Sequence, residues 1–325
     1  MEKLEAGNNG HENNMEQDAS EASAALRSSI TLVQDAPEVS AALHDSSTSP
    51  AIPREFQSQV DALPPVVRAL LVDNADPAEA SAEQVLDALG KLTPATRKAA
   101  SLGDVLHRSH ILSATSCATL RAAVDAERSL QADTVDSGPE HQLNLERESL
   151  ERLLGKQEAL RLWRLPLAYR RWRRGVDDNE ADASEQILAI EEMVTEAEAE
   201  AEAATLQEAF IRRYSPETRP LLKFHADAYE LTVNVALSAD AAHGGGNLIG
   251  LFKGVVRALD RGEGDATVHS SSLLHAVSRM TTGVRYSLIL FFDRHPGRYD
   301  PTRYEKRWIG GHAGSRTGGA RWWED

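Results

Sequence analysis

The sequence predicts an α+β chain in which N-terminal helices precede a core of short antiparallel strands folded as a sandwich or jelly roll. Three observations carry that expectation. Apolar residues recur at helical spacing up to about residue 174, as in Leu150, Leu153, Leu154 and Leu160. From about residue 205 the period drops to two, in "AFIRRYS", "ELTVNVAL", "DATVHSSSLLHAV" and "RYSLILFF". Turn signals such as "SPETRP" and "HGGGN" separate those runs, and short strands punctuated in this way close into sandwiches and jelly rolls.

Taken in order, residues 1 to 50 hold nine acidic and two basic side chains and no aromatic one, the composition of a disordered acidic tail. Residues 51–102 read as a short helical region of two or three helices, with Val67, Leu70 and Leu71 on one stripe and Val85, Leu86 and Leu89 on another. A new domain opens near 103: "DVLHRSHILSATSCATLRAAVDAE" reads as a strand, a turn with Ser113 as helix cap, and a helix through Leu120 and Val124. "ADTVDSGPEHQLNL" reads as extended. The leucine stripe that follows marks one amphipathic helix running into "LWRLPLAYRRWRRG", whose arginines 164, 170, 171, 173 and 174 form a solvated basic face. Residues 177 to 208 then hold twelve acidic side chains and no basic one, as in an exposed helix or mobile insertion.

Composition bounds the function. The 325 residues can bury one sizeable core with appendages or two small domains. A net charge of -15 would repel phosphate backbones, so no nucleic acid is expected as partner, and proteins or small molecules are. Cys117 is the one cysteine, which excludes an intrachain disulfide and a thiolate metal cluster. The opening "MEKLEAGNNGHENNMEQDAS" lacks the basic start and apolar run of a secretory signal, and no apolar stretch approaches a membrane span. A cytoplasmic or nuclear location without membrane contact is expected.

The chemistry concentrates in "FHADAYELTVNVAL", read as a single strand with His225 and Asp227 at its mouth. Side chains two apart on a strand share a face, so the pair either grips a small ion or forms a polar edge facing water. A third ligand would come from His269 or His275. Ten residues beyond His275, Arg285 and Ser287 share one face of a strand whose other residues include Leu288 and Leu290. A guanidinium fork plus a hydroxyl suits one carboxylate of a small dicarboxylic acid, and a guanidinium buried among such residues needs an anionic partner. Thr232 and Asn234 alternate against Val233 and Val235, so one of them either lines the pocket or makes a buried hydrogen bond.

H-x-D, a glycine turn at 244–246, a histidine 48 residues after Asp227 and R-x-S ten further on together resemble the Fe(II)/2-oxoglutarate-dependent oxygenases. The line "FIRRYSPETRPLLKFHADAYELTVNVALSADAAHGGGN" is similar to their prolyl and lysyl hydroxylase branch, most clearly over 205–293. The resemblance implies a double-stranded β-helix with N-terminal support helices, a dioxygenase domain over 103–311 and a C-terminal tail at 312–325. It assigns His225, Asp227 and His275 to Fe(II), Arg285 and Ser287 to the distal carboxylate of 2-oxoglutarate, and Tyr214 to a supporting phenol contact; O2 is the oxidant and ascorbate an accompanying reductant. His269 falls outside the family spacing and is expected beside the ligands rather than among them. Two departures stand out: Asn247 replaces the family's usual Thr or Cys, and "NLIGLFKGVVRALDRGEG" is less regular than its usual strand pair. The implied activity is hydroxylation of a C–H bond of a prolyl or lysyl side chain in a protein. Competing readings are the same chemistry on a free amino acid or small metabolite, a jelly-roll interaction module without turnover, and base demethylation through the basic aromatic segments at 163–174 and 298–323.

Overall fold

The structure, a computed structural model, describes residues 50–175 and 205–293 except positions 91, 93 and 228. The expected acidic tail up to 49, the acidic run from 177 to 204, the basic aromatic segment at 298–323 and the tail at 312–325 lie outside the described residues.

Four helices open this part of the chain: α1 (Arg54–Asp61), α2 (Pro65–Leu71), α3 (Ala82–Ala88) and α4 (Pro94–Leu102), one more than the two or three expected. Helix α3 begins at a capping box in which the Ser81 hydroxyl accepts from Gln84 N and the Gln84 side chain accepts from Ser81 N. After β1 (Val105–Arg108), Ser113 caps α5 (Ala114–Ala126) through Ser116 N, as the sequence predicts. In the segment read as extended, β2 (Gln142–Asn144) and an isolated antiparallel bridge between Ala132 and Pro139 are strand-like. The leucine stripe is two helices rather than one, α6 (Arg147–Leu154) and α7 (Lys156–Arg173), because Gly155 takes φ +77 between them, which breaks the helical course. Arg170 on α7 also departs from the expected solvated face: it is buried, 3.5 Å from Glu230.

The strands that follow are β3 (Thr205–Tyr214), β4 (Leu222–His225), β5 (Leu231–Ala236), β6 (Gly244–Gly245), β7 (Leu248–Phe252), β8 (Val255–Leu259), β9 (Ala266–Ser270), β10 (His275–Val277), β11 (Met280–Thr282) and β12 (Arg285–Asp293). All pair antiparallel, in a six-stranded sheet ordered β1-β9-β5-β12-β3-β2, a four-stranded sheet β4-β10-β7-β8 and a small pair β11-β6. Residues 205–208, counted with the acidic run from composition, instead begin β3 opposite the end of β12. "NLIGLFKGVVRALDRGEG", expected to be irregular, forms a regular β7–β8 hairpin. Lys253 (φ +51) and Gly254 (φ +78) make its two-residue turn, a left-handed pair that matches the twist of hairpin strands.

Each sheet has one face under helices. Ile211, Val233, Val235, Val268, Leu288 and Leu290 of the large sheet pack with Leu120, Val124, Leu150, Leu162 and Leu165 of α5–α7. Phe224, Ile249, Leu251, Val256 and Ala276 of the four-stranded sheet pack with Val67, Leu70, Leu71, Val85 and Leu86 of α2 and α3. Residues 63–102, whose role the sequence leaves unread, thus cover one face of the second sheet. Each such aliphatic side chain contributes about 1.5–3 kcal/mol on burial, so this helical cover supplies much of that sheet's core.

Candidate metal and anion site

Strands β5 and β12 are buried on both faces, so alternation splits them cleanly: Val233, Val235, Leu288 and Leu290 enter the helix-covered core. Thr232, Asn234, Ile289 and Phe291 turn the other way and, with Phe210, Arg212 and Tyr214 of β3, line a cavity. Its remaining wall comes from Leu222, His225, Leu248, His275 and Val277 of the four-stranded sheet, from Ala226 and Asp227, and from Val135.

His225 and His275 stand directly opposite each other across the β4–β10 pair, their rings 4.3 Å apart. Asp227 does not share a strand face with His225 as the sequence suggests. β4 ends at His225, β5 begins at Leu231, and the two strands belong to different sheets. Asp227 lies in the connection, tied by its N–H to Ser271 O at 2.9 Å. The apparent single strand is therefore a strand end, a turn and a second strand. The run "DATVHSSSLLHAV" divides likewise, with His269 on β9 and His275 on β10.

The outcome is a compact donor set: one ligand atom each from His225, Asp227 and His275 lie within 4.8 Å of one another. His225 Nδ1 donates to Lys223 O at 2.8 Å and His275 Nδ1 to Leu273 O at 3.1 Å, which turns both Nε2 atoms toward Asp227 at 3.5 and 3.6 Å. Burial pushes the His275 imidazole down to about 3 despite the nearby Asp227 carboxylate, so it is neutral at ordinary pH. Burial acts to raise the Asp227 carboxyl, but His275, His225 and His269 around it hold it well below the usual carboxylate range. Thr232 Oγ1 donates to Asp227 Oδ2 at 2.5 Å and fixes the carboxylate's orientation. His269, opposite Thr232 across the β5–β9 pair, packs its ring 4.9 Å from His275. It lies outside the three-residue set. Its Nδ1 donates to Ser270 O, and burial lowers its pKa.

Arg285 enters at the other end of β12, opposite Tyr214 of β3, with its guanidinium 4.9 Å from the Tyr214 ring centre. It is 1% exposed, and Nε and both terminal nitrogens lack a hydrogen-bond partner among the described residues. Ser287 Oγ, on the same face, is also buried and unpartnered. The other two fully buried arginines among the described residues differ sharply. Arg219 meets Asp136 at 3.1 Å and Pro139 O at 2.7 Å, and Arg261 grips both oxygens of Asp240 at 3.2 Å and Asn234 Oδ1 at 3.0 Å. Burial and the neighbouring Arg261 charge lower the Arg285 pKa to about 10, a cost that an anion beside it would remove.

Several supports are invisible to alternation. Asp240, His243 and Arg261 surround the Arg285 end, and all come from turns. Arg212 meets Asp133 at 2.5 Å and pins the loop carrying Val135 against the cavity. Helix α1 braces that loop from behind: Gln59 donates to Asp136 O at 2.6 Å, and the Phe56 ring fills the space a Cβ on Gly138 would need.

No family model matches the chain, and no curated protein matches it. Solved structures are similar to it. A Pseudomonas putida prolyl-4-hydroxylase shares 19% identity over 62% of this chain and 98% of its own, with a TM-score of 0.37. A viral collagen prolyl hydroxylase from Paramecium Bursaria Chlorella virus-1, in its 2OG complex, shares 12% over 59% and 96%, TM-score 0.38. A 2OG-Fe(II) oxygenase family oxidoreductase from Burkholderia pseudomallei shares 17% over 59% and 84%, TM-score 0.37. At such identities and TM-scores, function has to be read from the site's own residues.

Proposed function

We propose that the chain is an Fe(II)/2-oxoglutarate-dependent dioxygenase that hydroxylates a C–H bond, its two sheets forming a jelly roll, the double-stranded β-helix. One juxtaposition carries this reading. A buried His225, Asp227 and His275 donor set lines a cavity whose Tyr214 wall carries a fully buried guanidinium with no hydrogen-bond partner among the described residues. Two imidazoles and one carboxylate form the facial donor set suited to non-haem Fe(II). The orphaned nitrogens of Arg285 and the orphaned Ser287 hydroxyl fit the distal carboxylate of 2-oxoglutarate. An interaction module would have no use for that unpaired charge.

When bound, Fe(II) and 2-oxoglutarate supply oxidation of a substrate C–H bond by O2, with decarboxylation of 2-oxoglutarate to succinate and CO2. The protein's own residues do the positioning. His225 and His275 present Nε2 because their Nδ1 protons are held by backbone carbonyls, and Thr232 keeps Asp227 turned to them. Arg285 and Ser287 anchor the far end of the co-substrate over Tyr214. Phe210, Ile289, Phe291 and Val135 exclude water from the remaining wall.

We infer a prolyl side chain as the substrate group rather than a lysyl one. Apart from Asp227, the cavity lining has no carboxylate to receive an ammonium, and Phe210, Ile289 and Phe291 form an apolar, aromatic cluster in it. Succinate formation from 2-oxoglutarate with Fe(II) and ascorbate, measured with proline-containing and lysine-containing peptide pools, tests both levels. Stimulation by the proline pool alone is expected.

A further inference from the structure

His243 sits at the Arg285 end of the cavity with its side chain fully enclosed, and the site as read so far gives it no task. Its Nδ1 donates to Gly245 O at 2.8 Å, which leaves Nε2 as an acceptor. That nitrogen has no hydrogen-bond partner among the described residues and faces Asp240 Oδ1 at 3.8 Å. Two acceptors therefore oppose each other with no proton between them. Gly246 (φ +69) shows how close the ring lies to Arg285: a Cβ there would be 3.5 Å from His243 Cε1 and 3.3 Å from Arg285 Cδ.

The charged groups around the ring are Asp240 from the short 3-10 turn, Arg285 from β12 and Arg261 from the segment after β8. Gly246 and Gly283 also lie against His243 and carry no charge. Asp240 is already held by both ends of the Arg261 fork. Burial and the two guanidiniums keep His243 neutral, against the pull of Asp240 and the Gly245 hydrogen bond. An anion on Arg285 removes much of that repulsion, and the acceptor pair then favours a proton.

We propose that His243 couples anion binding to proton uptake: a dicarboxylate docking on Arg285 draws one proton from solvent onto His243 Nε2, which donates it to Asp240 or to the docked carboxylate. This rests on the co-substrate reading above. No bond other than that N–H forms, and the proton comes from buffer. By linkage, 2-oxoglutarate affinity rises as pH falls, by at most tenfold per pH unit, between the His243 pKa of the free and of the bound protein. The 2-oxoglutarate carboxyl groups are ionised throughout that range.

The test is calorimetric titration of 2-oxoglutarate into the Mn(II)-saturated full chain at pH 6 to 8, in buffers of different ionisation enthalpy. Wild type is expected to take up a fraction of a proton approaching one within that window. His243→Gln and His243→Asn should bind without uptake and with pH-independent affinity, while Mn(II) affinity stays within about threefold. Zero uptake by wild type, or equal uptake in whichever variant folds, overturns the proposal. Arg285→Ala separates the two levels: unchanged 2-oxoglutarate binding there refutes the co-substrate site itself, whereas weakened binding with no His243 effect refutes only the proton coupling.

Discussion

Replacing Arg285 by Ala should leave the metal set intact and cripple co-substrate binding. The guanidinium is 1% exposed and its three nitrogens lack a hydrogen-bond partner among the described residues, so no hydrogen bond among those residues is lost when it goes. The co-substrate loses a charge-assisted contact worth about 1.5–3 kcal/mol, hence roughly ten- to a hundredfold in affinity or somewhat more. In thermal terms, 2-oxoglutarate at 100 times its wild-type Kd stabilises the protein by about 2.7 kcal/mol, whereas at hundredfold weaker affinity the same concentration gives only about 0.4 kcal/mol. Without co-substrate the order reverses: Arg285→Met should be as stable as wild type or more so, because an unpaired buried charge is removed. Lysine should restore only part of the affinity, since it offers a point charge without the planar fork. The assay is a 2-oxoglutarate titration of wild type, Arg285→Ala, Arg285→Met and Arg285→Lys with Mn(II) affinity recorded beside it. Equal 2-oxoglutarate affinity in wild type and Arg285→Ala, or marked destabilisation of ligand-free Arg285→Met, would refute the reasoning.

Four further outcomes are expected. His275→Ala should abolish Mn(II) or Fe(II) binding while His269→Ala changes it by a few fold at most, since His269 lies outside the donor set; calorimetry that ranked them in reverse would exchange their roles. Thr232→Val should lower metal affinity about 10- to 100-fold by freeing the Asp227 carboxylate, and Thr232→Ser should restore it. Phe56→Ala should cost about 3–5 kcal/mol in urea unfolding, because the ring is fully buried against the Gly138 loop that shapes the cavity. Metal-free protein should lose stability on acidification: with His275 depressed from 6.5 to about 3, its contribution is complete above pH 6.5 and declines toward pH 3 by about 1.4 kcal/mol per pH unit, a slope that His275→Gln should reduce in pH-dependent unfolding.

Much of this site is legible in the sequence because two-residue alternation is local. The Ser113 cap, the core stripe of β12 and the opposed faces of Arg285 and Leu288 follow from spacing alone. Connections between sheets are not local, and there the reading fails. "FHADAYELTVNVAL" alternates smoothly enough to pass for one strand, yet the chain changes sheets between His225 and Leu231, and Asp227 owes its place to that turn. Gly155 is a weak signal inside a strong leucine stripe, but its positive φ divides the helix. Arg170 belongs to a run of arginines, and only tertiary packing sets it against Glu230. His243, Asp240 and Arg261 meet through loops, so no periodicity points to them; the residue types alone, a histidine before three glycines and an Asp in "SAD", carried too little information.

The central claim is that the donor set and the orphaned arginine serve one reaction, and turnover of 2-oxoglutarate by the Fe(II)-loaded chain tests it most directly. Succinate should accumulate with wild type, faster with an accepted peptide, fall to background with His275→Ala, and with Arg285→Ala recover only at roughly ten- to a hundredfold higher 2-oxoglutarate. Succinate at background with wild type under saturating Fe(II), 2-oxoglutarate and O2, or an equal rate in His275→Ala, would contradict the account.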